Sequence, residues 1–172
     1  DVLNTGMVVT IDLDHQNDIH PPNKIDVGER LALWPLAKVY SKKIQFSGPL
    51  YRSIKIDNEV IHVEFDQVHK GLMAGKATVG EVTEVKNGIL NGFEITGKDR
   101  VWHRANATID GKKVTVKSDA VRNPVAIRYA CHPQTTKDIP WNLYDKAGLP
   151  ASPFCSDWNM MPYNPQLNLP RK

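Results

Sequence analysis

The 172-residue chain carries 22 Lys plus Arg against 19 Asp plus Glu, a net charge of +3, with 41% hydrophobic and 24% charged residues. Those proportions belong to a packed globular protein of one ordinary domain or two small ones, and exclude a disordered chain, a collagen and a coiled coil. The lysines are dispersed and no apolar stretch approaches the roughly 20 residues that span a bilayer, so neither nucleic acid nor a membrane is an expected partner. 

The chain opens on residues 6–13 (GMVVTIDL), a continuous apolar run of strand length that suits a strand buried on both faces of a parallel sheet. A polar loop, 14–22, follows. Residues 23–40 then read as a helix, with Pro22 in the first-turn position, Asp26 early, Lys38 late, and Ile25, Leu31, Ala32, Leu36 and Val39 as its apolar face. Pro35 falls inside it and should kink or shorten it.

Beyond residue 44 the pattern changes to period two. Residues 53–56 and 60–65 flank an Asp57-Asn58 hairpin signal, and segments 93–96, 101–109, 113–117 and 125–130 continue the series. Asp110-Gly111 is the strongest turn dipeptide. Six short strands with turn-rich gaps predict an antiparallel β-sandwich over 44–130. Residues 131–172 hold seven of the twelve prolines and little periodicity, and are expected as an irregular tail packed on the sandwich. Two cysteines, Cys131 and Cys155, allow one bridge or two free thiols. A bridge would indicate an oxidising compartment, and a secreted, periplasmic or lysosomal location is expected.

One strand, one loop and one helix do not make a domain. A strand buried on both faces needs parallel neighbours, and those connect through long crossovers. The chain has no other βα unit, so residues 1–43 are expected to complete a sheet supplied by an upstream portion of the same protein or by a second chain.

The loop after the first strand holds the densest polar cluster: Asp12, Asp14, His15, Asn17, Asp18 and His20. Ligands of open α/β sheets bind beyond the carboxyl ends of the strands, where this loop must lie. Pro21 holds His20 in extended geometry at the helix start, and an imidazole placed there suits general-base work. Asp18, two residues earlier, can orient the ring; alternatively the cluster is a solvated, helix-capping loop. A calcium reading of Asp12, Asp14 and Asp18 fails, because Asn17 stands where a Gly is expected and Asn23 where a bidentate Glu is needed. His62, His69, His103 and His132 show no zinc-ligand spacing, so no metal is expected. No Gly-rich phosphate loop is present, and no cofactor is expected. None of the serines lies in a Gly-x-Ser-x-Gly elbow, and Ser152 in LPASPF has only its two prolines to distinguish it. Cys131 and Cys155 lack an activating context. The chain thus offers a possible base and no nucleophile for it.

The segments GMVVTIDLDHQNDIHPPNKIDVGERLALWPLAKVY, SGPLYRSIKI, PVAIRYA and NLYDKAGLPASPF, in this order from Asn4 to about Phe154, closely resemble the C-terminal part of the sialate O-acetylesterases, a carbohydrate-esterase branch of the SGNH hydrolase superfamily. The resemblance implies a flavodoxin-like α/β hydrolase domain joined to β-rich domains, removing acetyl groups from sugar hydroxyls without a metal. It implies that the nucleophilic serine lies upstream and that His20, in the Ile-His-Pro motif, is the catalytic histidine. The superfamily places an Asp three residues before this His, where this chain has Asn17. Asp18 is then the first choice of orienting acid, Asp12 or Asp14 the next, with a backbone carbonyl as a further alternative. On this reading the partner is an O-acetylated sugar, sialic acid foremost, and the isolated chain is inactive. The rival expectation is a non-catalytic β-sandwich that binds carbohydrate or stabilises an assembly, with Trp102, Trp141, Trp158 and Tyr163 as stacking aromatics.

Overall fold

The computed structural model describes residues 5–13, 20, 22–131 and 141–160. Helix α1 spans Lys24–Lys38, and eleven strands follow: β1 Leu50–Asp57, β2 Val60–Asp66, β3 Leu72–Thr78, β4 Glu81–Glu84, β5 Phe93–Thr96, β6 Trp102–Arg104, β7 Asn106–Asp110, β8 Lys113–Lys117, β9 Ala126–Tyr129, β10 Leu143–Asp145 and β11 Phe154–Cys155. They form three antiparallel sheets, ordered β1-β2-β8-β7, β10-β3-β4 and β11-β9-β5-β6.

The first and third sheets enclose the core in a sandwich-like arrangement. Alternation along β2 and β8 sends Ile61, Val63, Phe65, Val114 and Val116 inward, where they meet Phe93, Ile95, Ile127 and Tyr129 of the third sheet. The outward positions are polar, as His62 opposite Thr115 illustrates. The β1–β2 and β7–β8 hairpins open their two-residue loops in the left-handed region, Asn58 at φ 52° and Gly111 at φ 60°, which Asn and Gly tolerate best. The predicted single strand 101–109 is in fact two: it changes sheets at Ala105, so that β6 pairs with β5 and β7 with β8.

Residues 141–160 are built into the sheets as well as wrapped around them. β10 adds to β3, and β11 adds to β9. Leu143, Tyr144, Asp145 and Ala151 are fully buried, and Phe154 stacks on Tyr51 at 4.7 Å while contacting Phe65, Phe93 and Tyr129. These residues of the expected, mostly irregular tail therefore supply core, because short strands with no periodicity of their own acquire it from a partner strand.

Two features of the N-terminal residues bear on the expected α/β unit. Residues 5–13 form no strand and pair with no other described strand. Met7 is exposed and 8–12 are half-buried along α1, since no parallel neighbour among the described residues can complete a ladder. The flavodoxin-like sheet is accordingly not seen here. The apolar face of α1 also points the opposite way from a core helix. Ile25, Leu31, Leu36 and Val39 are 61%, 50%, 37% and 73% exposed, while the face turned toward the β-sheets buries Asp26 and Arg30.

Candidate functional site

The strap that leads into the His20 loop and the helix that leaves it are fastened to the β-module by charge. Asn23 caps α1, accepting the Asp26 backbone N–H at 3.1 Å, and its amide donates to the Asp26 carboxylate at 2.6 Å. The second Asp26 oxygen accepts the Gly80 N–H, at the β3–β4 turn, at 2.9 Å. One turn along the helix, Arg30 donates to both oxygens of Asp12 at 2.6 and 2.7 Å and to the Val9 carbonyl at 2.8 Å. Tyr144 of β10 completes the cluster, its hydroxyl donating to Asp12 at 3.0 Å. Side-chain exposures of 9% for Arg30 and 2% for Asp12 make this a buried ion pair.

Its electrostatics are mutually dependent. Burial pulls the Arg30 guanidinium down, yet the hydrogen bond and charge of Asp12 outweigh it and hold the group above its ordinary value. Burial, then the Asp12 carboxylate, drives the Tyr144 phenol far above the usual tyrosine range, so it acts only as a donor. Close packing brings these groups together: a Cβ on Gly75 would lie 2.5 Å from the Tyr144 ring, and one on Gly6 would overlap the Trp34 indole. Trp34 in turn packs edge-on against Phe46 at 4.7 Å.

His20 lies between these anchors and is exposed. Leu13 is buried on one side of the loop, and the Asn23 cap begins the helix on the other. Asp18 and Asp14 fall outside the described residues, as do His15, Asn17 and His132. The Asp12 carboxylate is held by Arg30 and Tyr144 and tethers the strap to α1 and β10. The contacts of Arg30 and Tyr144 with Asp12 were not legible in the sequence. The only signal was an arginine on the helix face opposite the apolar stripe.

Among the described residues no serine hydroxyl is hydrogen-bonded to a histidine: Ser152 Oγ donates to Pro153 O, Ser118 Oγ to Arg104 O, and Ser156 Oγ accepts the Ile127 N–H. His62 meets Thr115 Oγ1 at 3.2 Å as a cross-strand pair, and His69 lies 3.3 Å from Gln67 Oε1. Both cysteines are free thiols, Cys131 bonded to Tyr129 O and Phe154 O, with burial pushing its pKa up to about 11. Among the described residues no cluster of three His, Cys, Asp or Glu side chains could hold a metal ion. The Arg128 guanidinium covers one face of Trp102, 4.5 Å from its ring, and the Trp141 indole lies against Gly92. Tyr163 lies outside the described residues, and of Trp158 only the backbone turn is described.

Fold and site together define a mostly β, sandwich-like module to which a strap and a helix are fastened through a buried ion pair. The chain matches the crystal structure of XAC1771, a carbohydrate acetylesterase from Xanthomonas citri, with 36% identity and a TM-score of 0.74 over 87% of its own length. It spans 32% of that protein, and is homologous to that portion of a carbohydrate acetylesterase. No protein-family model and no curated protein matches the chain.

Proposed function

We propose that the chain is the C-terminal portion of a carbohydrate O-acetylesterase of the sialate O-acetylesterase type, in which His20 is the catalytic base. The match to one third of a carbohydrate acetylesterase carries this reading. The outward stripe of Ile25, Leu31, Leu36 and Val39 supports it, because a helix that buries charge and exposes aliphatic side chains is half of an interface. The occupant of that face is the α/β portion of the same enzyme, whose sheet would also pair residues 6–11 as the missing neighbour.

In this reading a serine on that portion attacks the acetyl carbonyl. His20 takes the serine proton, then gives it to the departing sugar oxygen as the tetrahedral intermediate collapses to acetyl-enzyme. Water, deprotonated by the same imidazole, attacks the acetyl-enzyme and releases acetate, returning the proton to serine. Asp18 orients the imidazole, and the buried Asp12–Arg30–Tyr144 cluster fixes the base of the loop that presents it. An O-acetylated sugar, sialic acid foremost, is the proposed substrate.

The test is complementation. The 172-residue chain alone should not hydrolyse an aryl acetate, whereas the polypeptide carrying the remaining portion should do so. Serine-dependent turnover by the pure chain alone would overturn the assignment.

A further inference from the structure

A second concave surface lies on the β-module, remote in sequence from the His20 loop. It is an open cleft of about 880 Å³ between the approach to β3, the loop after β4 and the β7–β8 turn, within the roughly 300–1,000 Å³ of ligand sites. Three lysines line it from three separate elements: Lys70 before β3, Lys112 in the β7–β8 turn and Lys146 after β10. His69 adds a fourth nitrogen group. The one carboxylate in the lining, Glu84, sits 3.7 Å from Lys146, and Lys70 and Lys112 have no ion-pair partner among the described residues.

Cations lining one cleft repel one another, and a concave wall of low polarisability concentrates their field on whatever enters. The rest of the lining narrows the class of anion. Asn87 and Asn106 offer amide groups suited to hydroxyls, and Val85 and Ile89, both exposed, offer aliphatic surface for the C–H face of a ring. No aromatic side chain lines the cleft, so the stacking platform by which single-stranded nucleic acid is held is missing. Gly88 in the lining packs closely on its neighbours, since a Cβ there would stand 2.8 Å from the Val85 carbonyl oxygen.

We propose that this cleft binds an acidic oligosaccharide, the carboxylates of its uronic-acid-like units paired with Lys70 and Lys112. The inference takes from the proposed function only that the protein works among sugars. Its test reads binding without turnover, so a negative result here leaves the esterase reading standing, and an inactive enzyme leaves this one standing.

The 172-residue chain is titrated with oligogalacturonate, with a neutral xylo-oligosaccharide of equal length and with a single-stranded oligonucleotide, by calorimetry and amide chemical shifts. Expected are binding of oligogalacturonate with shifts confined to the cleft, none with the neutral sugar, and severalfold weakening when salt rises from about 50 to 300 mM. The Lys70→Ala/Lys112→Ala variant should bind about tenfold more weakly with an unchanged unfolding midpoint. Equal binding of the neutral sugar, no binding at millimolar concentration, unchanged affinity of the double variant, or tighter binding of the oligonucleotide would each overturn the proposal.

Discussion

Replacing Arg30 by Met keeps the helical stem and removes the guanidinium that joins α1, the strap and β10. The change strips Asp12 of two of its three donors at 2.6 and 2.7 Å and leaves only the Tyr144 hydroxyl at 3.0 Å. Because the Asp12 side chain is 2% exposed, water does not replace the lost bonds. Breaking a buried pair in this way costs about 3–5 kcal/mol. With a urea m-value of about 2 kcal/mol/M, that is a fall in midpoint of about 1.5–2.5 M. The Arg30→Met/Asp12→Leu double variant has no stranded charge. It leaves the buried Tyr144 hydroxyl without an acceptor, at about 1–3 kcal/mol, so it should be more stable than Arg30→Met alone. Equilibrium urea unfolding of the two single variants and the double variant measures all three numbers. A cost below about 1 kcal/mol for Arg30→Met, or strict additivity in the double variant, would refute the assignment of this cluster as the fastening of the loop.

Other outcomes follow from the same coordinates. Phe154→Ala removes a ring that packs on Tyr51, Phe65, Phe93 and Tyr129, and should cost about 3–5 kcal/mol in thermal or urea unfolding although it lies in a two-residue strand. With its thiol at about 11 rather than 9, Cys131 carries roughly a hundredfold less thiolate at pH 8 than an ordinary thiol; its alkylation should be slower in proportion and climb about tenfold per pH unit up to its pKa, followed by mass spectrometry. Leu36→Lys, on the outward face of α1, should change the stability of the 172-residue chain by less than about 0.5 kcal/mol, yet weaken association with the remaining portion in a pull-down or sedimentation assay.

The sandwich was legible where one face of a strand is apolar and the other polar. β2 and β8 alternate cleanly, and Asn58 and Gly111 mark their turns. β3 was not legible, because Leu72, Met73, Ala74 and Gly75 are buried in succession and Gly75 is required by the approach of Tyr144, a contact 69 residues away that no local window contains. β10 and β11, three and two residues long, owe their conformation to β3 and β9. The start of α1 was readable to within a residue, although Pro22 precedes the Asn23 cap instead of sitting in the first turn and the helix ends at Lys38, two residues before the expected 40; the direction of its apolar stripe was not readable. Periodicity reveals that a face must be covered and does not say by what. His20 stood out through Pro21 and the Ile-His-Pro resemblance, whereas Arg30 and the lysines at 70, 112 and 146 acquire meaning only once folding brings distant segments together.

The central claim concerns His20, and deacetylation of an O-acetylated sugar by the complete polypeptide tests it most directly. With His20→Ala the account predicts a fall in kcat of about a thousandfold at an unchanged unfolding midpoint. Retention of activity within about twofold of the unsubstituted enzyme would contradict it.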